Sequence, residues 1–366
     1  MRWAIVTLLL AAAHAAPLPH YRIEAALEPA TRSLEVSAEV ELPESASGSV
    51  VDFLLAAPLQ ILHASPAAQR RTDVAMRGFV GINGSSADPT ARGALAARRA
   101  TAYRVRLAPG ERRFSLRYRG RIDFPFEIPA QEYARGFQET AGLIDERGVY
   151  LAGSTLWYPY LGDTLFTFEL AARAPPDWQL ISPGSGSARG ADGVARWRSA
   201  LPLDELHIVG GPLTRYARPA GAATAEVYLR TSDAALAARY LEATARNLEM
   251  YRKLIGPYPY DKFALVENFW ETGYGMPSFT LLGSQIIRFP FILTSSYPHE
   301  ILHNWWGNGV FVDYARGNWC EGLTAYLADH LYKEQHGQAA DYRRDTLRKY
   351  RDFVRAGRDF SLAEFR

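Results

Sequence analysis

His299-Glu300-Ile301-Leu302-His303 is the stretch that decides how the rest of this chain is read. On an α-helix, residues four apart share a face, so His299 and His303 can offer two imidazoles to one metal ion. Glu300 lies about 100° round from His299, which sets its carboxylate beside the metal, where a water would sit. Two histidines at this spacing with a glutamate between them read as a zinc site with a general base. Three fixed residues alone are a weak signal, because an amphipathic helix with two surface histidines has the same pattern. The downstream residues supply the weight: Asn304-Trp305-Trp306-Gly307-Asn308, then Trp319-Cys320-Glu321-Gly322-Leu323-Thr324-Ala325-Tyr326. A catalytic zinc site needs three protein ligands and an open position, and two histidines with one glutamate form one such set. Glu321 opens a second helical stretch and is the expected third ligand.

These two segments together resemble the aminopeptidase N family of zinc metallopeptidases, the gluzincins. Gly256-Pro257-Tyr258-Pro259-Tyr260 is similar to that family's Gly-Pro-Tyr-Pro turn. Trp157-Tyr158-Pro159-Tyr160 with Asp163 resembles its aromatic-Pro segment, and His20-Tyr21-Arg22-Ile23 its N-terminal strand. The likeness covers most of the chain after Ala15. It implies a thermolysin-like catalytic domain, a Zn²⁺ cofactor held by His299, His303 and Glu321, a peptide substrate, and Glu300 as general base. One departure lies inside the motif: 17 residues separate His303 from Glu321, one fewer than the family usually has. The family's oxyanion-stabilising tyrosine lies in a later segment, expected beyond Arg366. Tyr326, Tyr332, Tyr342 and Tyr350 do not stand in its setting, and the catalytic domain is expected to be incomplete at its C-terminus.

A second departure concerns the substrate. The family holds the free amine of a peptide with a glutamate in a Gly-x-Met-Glu-Asn segment. The corresponding residues are Gly275, Met276 and then Pro277, so a proline stands in the place of that glutamate. The family's other amine anchor, a Gln or Glu, maps onto Tyr150. Both acceptors are expected to be lost, with Glu267 or Glu271 as possible substitutes.

Composition narrows the class. The chain has 366 residues, 48% hydrophobic and 22% charged, with a formal net charge of +2. That length accommodates two domains, and no basic run points to nucleic acid. Met1 to Ala15 reads as a secretory signal peptide, with Arg2 first, an apolar core over 4–13 and the A-x-A site Ala13-His14-Ala15. The core is too short to span a bilayer, no membrane anchor is expected, and export to a periplasm or the medium follows. The single cysteine, Cys320, excludes an intramolecular disulfide and reads as a small buried residue. His14, His20, His63, His207, His330 and His336 lack metal-ligand spacing. Trp305, Trp306, Phe311, Tyr314 and Trp319 crowd the zinc motif, either walling a pocket or packing between helices.

Hydrophobic periodicity predicts the architecture. Leu34, Val36, Ala38, Val40 and Leu42 alternate with polar residues, as do Phe114, Leu116 and Tyr118, and Phe166, Phe168 and Leu170. This period of two predicts antiparallel sheets of saddle or sandwich type over 16–217, with turns such as Gly81-Ile82-Asn83-Gly84. Arg218-Pro219-Ala220-Gly221 reads as a linker or exposed loop. A strand over 225–229, a helix capped by Ser232 and ended by Gly256-Pro257, and strands over 263–266 and 279–282 then lead into the motif helices. Strands followed by helices make 218–366 an α+β catalytic domain. Three functions fit: a zinc metallopeptidase, a non-peptidase zinc hydrolase such as an epoxide hydrolase, and a binding or scaffold protein with a degenerate site.

Overall fold

The computed structural model describes residues 17–72, 99–127, 138–162, 164–186, 189–313, 316–361 and 364. The signal-peptide reading, the Gly81–Gly84 turn, Asp163 and Tyr314 lie outside them.

The strand Ser33–Glu41 shows why the N-terminal half folds as it does. Leu34, Val36, Ala38 and Val40 are at most 2% exposed, while the residues between them face solvent. This strand pairs antiparallel with His20–Glu28 on one side and Arg113–Arg121 on the other. The full sheet has six strands and is otherwise antiparallel, except that His20–Glu28 runs parallel to Phe166–Arg173. Its wet face carries ion pairs such as Arg22–Glu39 at 2.8 Å, an exposed type that contributes little stability. Its dry face meets a three-stranded sheet made of Val50–Ala56, Ala100–Arg106 and Gln69–Arg71. Phe53 from one sheet stacks on Phe114 from the other, with ring centroids 5.5 Å apart. Buried aromatic pairs of this kind add about 0.5–1.5 kcal/mol beyond their burial.

The second half is built on a mixed five-stranded sheet. Its order is Thr214–Ala220, Ala223–Leu229, Lys262–Asn268, Phe279–Gly283 and Gly273–Met276. The three central strands are parallel, so their residues are buried on both faces. The stretch read as a linker is not one: Arg218, Pro219 and Ala220 belong to the outer strand of a hairpin with Ala223–Leu229. Proline there is compatible with an edge position. One sheet face packs on residues of the N-terminal half, where Tyr150, Ile181 and Val209 meet Tyr228, Val266 and Leu281. The other face packs on helices.

Helix α1 (Ala234–Leu254) begins one residue later than the sequence suggests. Asp233, not Ser232, is its cap and accepts from Leu236 N at 2.9 Å; the Ser232 hydroxyl pairs with Tyr216 OH at 2.7 Å instead. Its buried stripe includes Leu236, Tyr240, Thr244, Leu248 and Tyr251. That stripe carries helix α2 (Ser296–Leu302), the motif helix. Tyr240 meets Tyr297 edge-on at 4.8 Å, and Thr244 Oγ1 lies 2.5 Å from Tyr297 OH. Pro298 is tolerated in the first turn of α2, where backbone N–H groups lack helical partners. Helices α3 (Cys320–Ala325), α4 (Leu331–Gln335) and α5 (Ala339–Arg355) follow, with a π-helical turn, Tyr326–His330, between α3 and α4.

Candidate metal centre

Helix α2 ends at Leu302, and His303 caps it. Asn304 fixes the end: its Nδ2 donates to Ile301 O at 3.0 Å, and its Oδ1 accepts from Ser278 N at 2.7 Å. The same oxygen accepts from Tyr258 OH at 3.3 Å, which ties the Gly-Pro-Tyr-Pro turn to the motif. Trp305 packs edge-on against Tyr251 and donates from Nε1 to Gly256 O at 3.2 Å. Trp306 meets Trp319 edge-on at 6.1 Å, joining the two ligand segments.

His299, His303 and Glu321 converge. One donor atom from each lies within 4.8 Å of the other two. Glu321 Oε2 stands 3.3 Å from His299 Nε2, and its Oε1 stands 3.5 Å from His303 Nε2. Donors bound at about 2.0–2.1 Å to one tetrahedral ion stand about 3.3 Å apart, so the two carboxylate–imidazole spacings match one small ion. The outer ring nitrogens are also occupied. His299 Nδ1 lies 3.0 Å from Asp329 Oδ2, and His303 Nδ1 lies 3.1 Å from Trp306 O. A carboxylate or carbonyl on Nδ1 holds the proton there and leaves Nε2 as the metal donor. The donor set, two imidazoles and a carboxylate, suits zinc.

Charge at the site is mutually arranged. Burial opposes protonation of His299, but hydrogen bonds to Asp329 and Glu321 push its pKa up to about 10. The His299 hydrogen bond holds the Glu321 carboxyl below its usual range. Burial raises the Glu300 carboxyl, against the opposing pull of His303 and His299. Cys320 sits beside the His299-His303-Glu321 group without belonging to it: its Sγ donates to Trp306 O at 3.1 Å, and burial pushes the thiol up to about 11.

Glu300 faces the edge strand Gly273–Met276. A Cβ on Gly275 would collide with Glu300 Oε2, so glycine makes room for the carboxylate. Tyr274 and Met276 point to the opposite, buried face. Pro277 is buried, and Ser278 after it adopts a left-handed conformation, φ 69°. Its hydroxyl accepts from Lys262 Nζ at 2.8 Å, and that ammonium also donates to Ser182 O and Gly184 O. Asn304 therefore ties Ser278 to the end of α2, and Lys262 ties it to Ser182 and Gly184.

The other sequence-assigned residues divide. Tyr150 is brought close to that segment, with its ring stacked on Tyr274 at 5.9 Å and edge-on to Trp270 at 5.4 Å. Burial holds its phenol well above the ordinary pKa. Glu267 lies on the helix-packed face of the sheet in register with Leu282, where it accepts from Arg230 N at 2.8 Å and pairs with Arg288 at 2.7 Å. Glu271 accepts from Gln285 N at 2.9 Å and lies over Gly283. Both carboxylates hold loops at one end of the sheet.

Asp329, Asn304 and Lys262 were not among the residues assigned from sequence. Asn304 adjoins the motif and was visible there. Lys262 was not, because its three acceptors are scattered over the chain.

Comparison with protein-family models and with curated proteins gives no match. Solved structures do match in fold. An M1 zinc metallopeptidase variant from Deinococcus radiodurans, bound to a Tyr-Ser-Ala substrate, aligns at TM-score 0.62 and 17% identity, over 87% of this chain and 71% of that one. The parent metallopeptidase aligns at TM-score 0.59 and 18% identity, over 88% and 71%. Native yeast LTA4 hydrolase aligns at TM-score 0.60 and 14% identity, covering 87% of this chain and 49% of that one. The chain thus has the M1 aminopeptidase-like fold, a β-rich N-terminal half followed by an α+β half carrying the His-Glu-His motif.

Proposed function

We propose that this protein is a zinc-dependent hydrolase of peptide bonds with atypical recognition of the substrate N-terminus. The observation that carries the proposal is the convergence of His299, His303 and Glu321 donor atoms within 4.8 Å, with Glu300 on the adjoining helix face. A zinc ion held there supplies Lewis acidity to a water and to the scissile carbonyl. Glu300 would accept a proton from the attacking water and return it to the leaving amine. Gly275 leaves room for the carboxylate to do so. Fold neighbours that bind a Tyr-Ser-Ala substrate and free L-arginine support the substrate class.

Neither of the two positions expected to anchor a free α-amine, Pro277 and Tyr150, carries a carboxylate. Pro277 has no side-chain acceptor, Tyr150 offers a neutral phenol in an aromatic cluster, Glu267 is paired with Arg288, and Glu271 accepts from Gln285 N through Oε1 while its Oε2 is buried without a hydrogen-bond partner among the described residues. Peptides with blocked or internal positions at the site fit this lining as well as free N-termini do. A non-peptide substrate of an epoxide hydrolase kind also lacks the amine, and it is the second reading. Incubation of the zinc-loaded protein with a peptide library, with and without chelator, tests the first: chelator-sensitive cleavage is expected. Turnover of epoxides with no peptide cleavage would favour the second. The Met1–Ala15 leader reading puts this activity outside the cytoplasm.

A further inference from the structure

Asp329 stands eight residues beyond Glu321, yet both side chains reach the same imidazole, Glu321 at Nε2 and Asp329 at Nδ1. A regular α-helix does not allow that. At about 100° per residue, the eighth residue points about 80° away from the first. The seventh, Ala328, would return to within about 20° of it. The helix is not regular here. Residues Tyr326–His330 form a π-helical turn between α3 and α4, with hydrogen bonds reaching one residue further than in an α-helix. Such a turn absorbs one extra residue. Asp329 then takes the angular place of a seventh residue, and Ala328 is swung into the core, where it is fully buried.

We infer that this wide turn is a register device: it turns Asp329 onto His299 and so makes it a positioning residue for the metal ligand. Asp329 fixes the His299 tautomer and ring angle, with Nδ1 protonated and Nε2 presented to the site. The turn lets a carboxylate one residue out of helical phase do this work. From Leu331 onward the chain resumes α-helical register, and α5 packs back through Arg343 Nη1 on His330 Nε2 at 2.7 Å. The inference rests on the zinc reading of the site.

Two single-residue deletions separate the register role from a packing role. Deleting Ala328 removes the extra residue before Asp329, which then becomes the seventh residue of an unbroken helix and keeps facing His299. Deleting Leu331 removes it after Asp329, which stays eighth and turns about 80° away. Zinc affinity is read by chelator competition, and folding by circular dichroism. Loss of an outer-shell partner typically weakens metal affinity 10–100-fold. The Leu331 deletion should therefore bind zinc as weakly as Asp329→Ala, about 10–100-fold below wild type. The Ala328 deletion should stay close to wild type, and Asp329→Ala in that background should again weaken binding. Equal affinities for the two deletions would overturn the inference. Unfolding of both would overturn it as well, because the wide turn would then serve helix packing. Absence of zinc binding in the wild type is a different failure, that of the site reading itself.

Discussion

The Glu300 carboxylate lies directly over Gly275, so close that a methyl group there would collide with Oε2 and stand 3.4 Å from His303 Cδ2. The proposed general base is thus positioned by an absence of side chain on the opposing edge strand. Gly275→Ala should leave the zinc content unchanged and lower kcat about 10–10²-fold, since a displacement of about 1 Å at a reacting group has that effect. Unchanged turnover in a folded, zinc-loaded Gly275→Ala variant would show that Glu300 does not work from this position.

Glu300→Gln tests the base itself. The amide nearly preserves shape but cannot accept the water's proton. Zinc binding should persist, while turnover falls about 10²–10⁴-fold, the usual contribution of a general base. Isothermal titration with zinc and a peptide-cleavage assay on the same preparation give both numbers. A variant that cleaves at the wild-type rate would remove Glu300 from the mechanism.

Much of this was legible in the sequence, for identifiable reasons. The period-2 strands stand out because one face of each is wet, as at Ser33–Glu41. Two of the three proposed metal ligands, His299 and His303, follow from an i, i+4 pair at the end of a short helix. Hairpin membership of Arg218 and Pro219 was hidden, because an edge strand of mixed polarity reads like a linker. Asp329 was hidden for a sharper reason. Helical counting from Glu321 points to Ala328, and only the π-helical turn brings its neighbour into place. Likewise Glu267 reads as a spare carboxylate in the sequence, whereas Arg230 N and Arg288 occupy it; Glu271 has Gln285 N on one oxygen only.

Substrate choice should reflect the missing amine acceptor. A free α-amine is largely cationic near pH 7, and burying it without an acceptor is unfavourable. Pro277 and the Tyr150–Tyr274 stack provide no carboxylate for it. Matched free and N-acetylated peptides should be cleaved with kcat/KM values within about tenfold, or about 1.4 kcal/mol. A strong preference for the free amine that disappears in Glu267→Ala or Glu271→Ala would restore ordinary aminopeptidase recognition.

Lys262 gives a pH signature of folding. Burial lowers its pKa from 10.5 to about 8, and its ammonium is held by Ser182 O, Gly184 O and Ser278 Oγ. Between pH 8 and pH 10.5 the unfolded chain keeps a proton that the folded one has lost. Stability therefore rises with pH across that window, by up to about 3 kcal/mol. Below the window both states are protonated, and the gain is absent. Lys262→Met has no proton to lose, so urea unfolding at pH 7.5 and pH 10 should show wild type gaining stability relative to the variant. Parallel behaviour of the two proteins would mean that Lys262 titrates alike in both states.

Every functional step proposed for this protein depends on one zinc ion held by His299, His303 and Glu321, and counting metal in purified protein tests that most directly. Elemental analysis after dialysis against zinc should give one zinc per chain for the wild type. His303→Ala, which deletes one donor of the converged set, should retain little or none. A wild type that binds no zinc, or a His303→Ala variant that keeps its full complement, would contradict the zinc site.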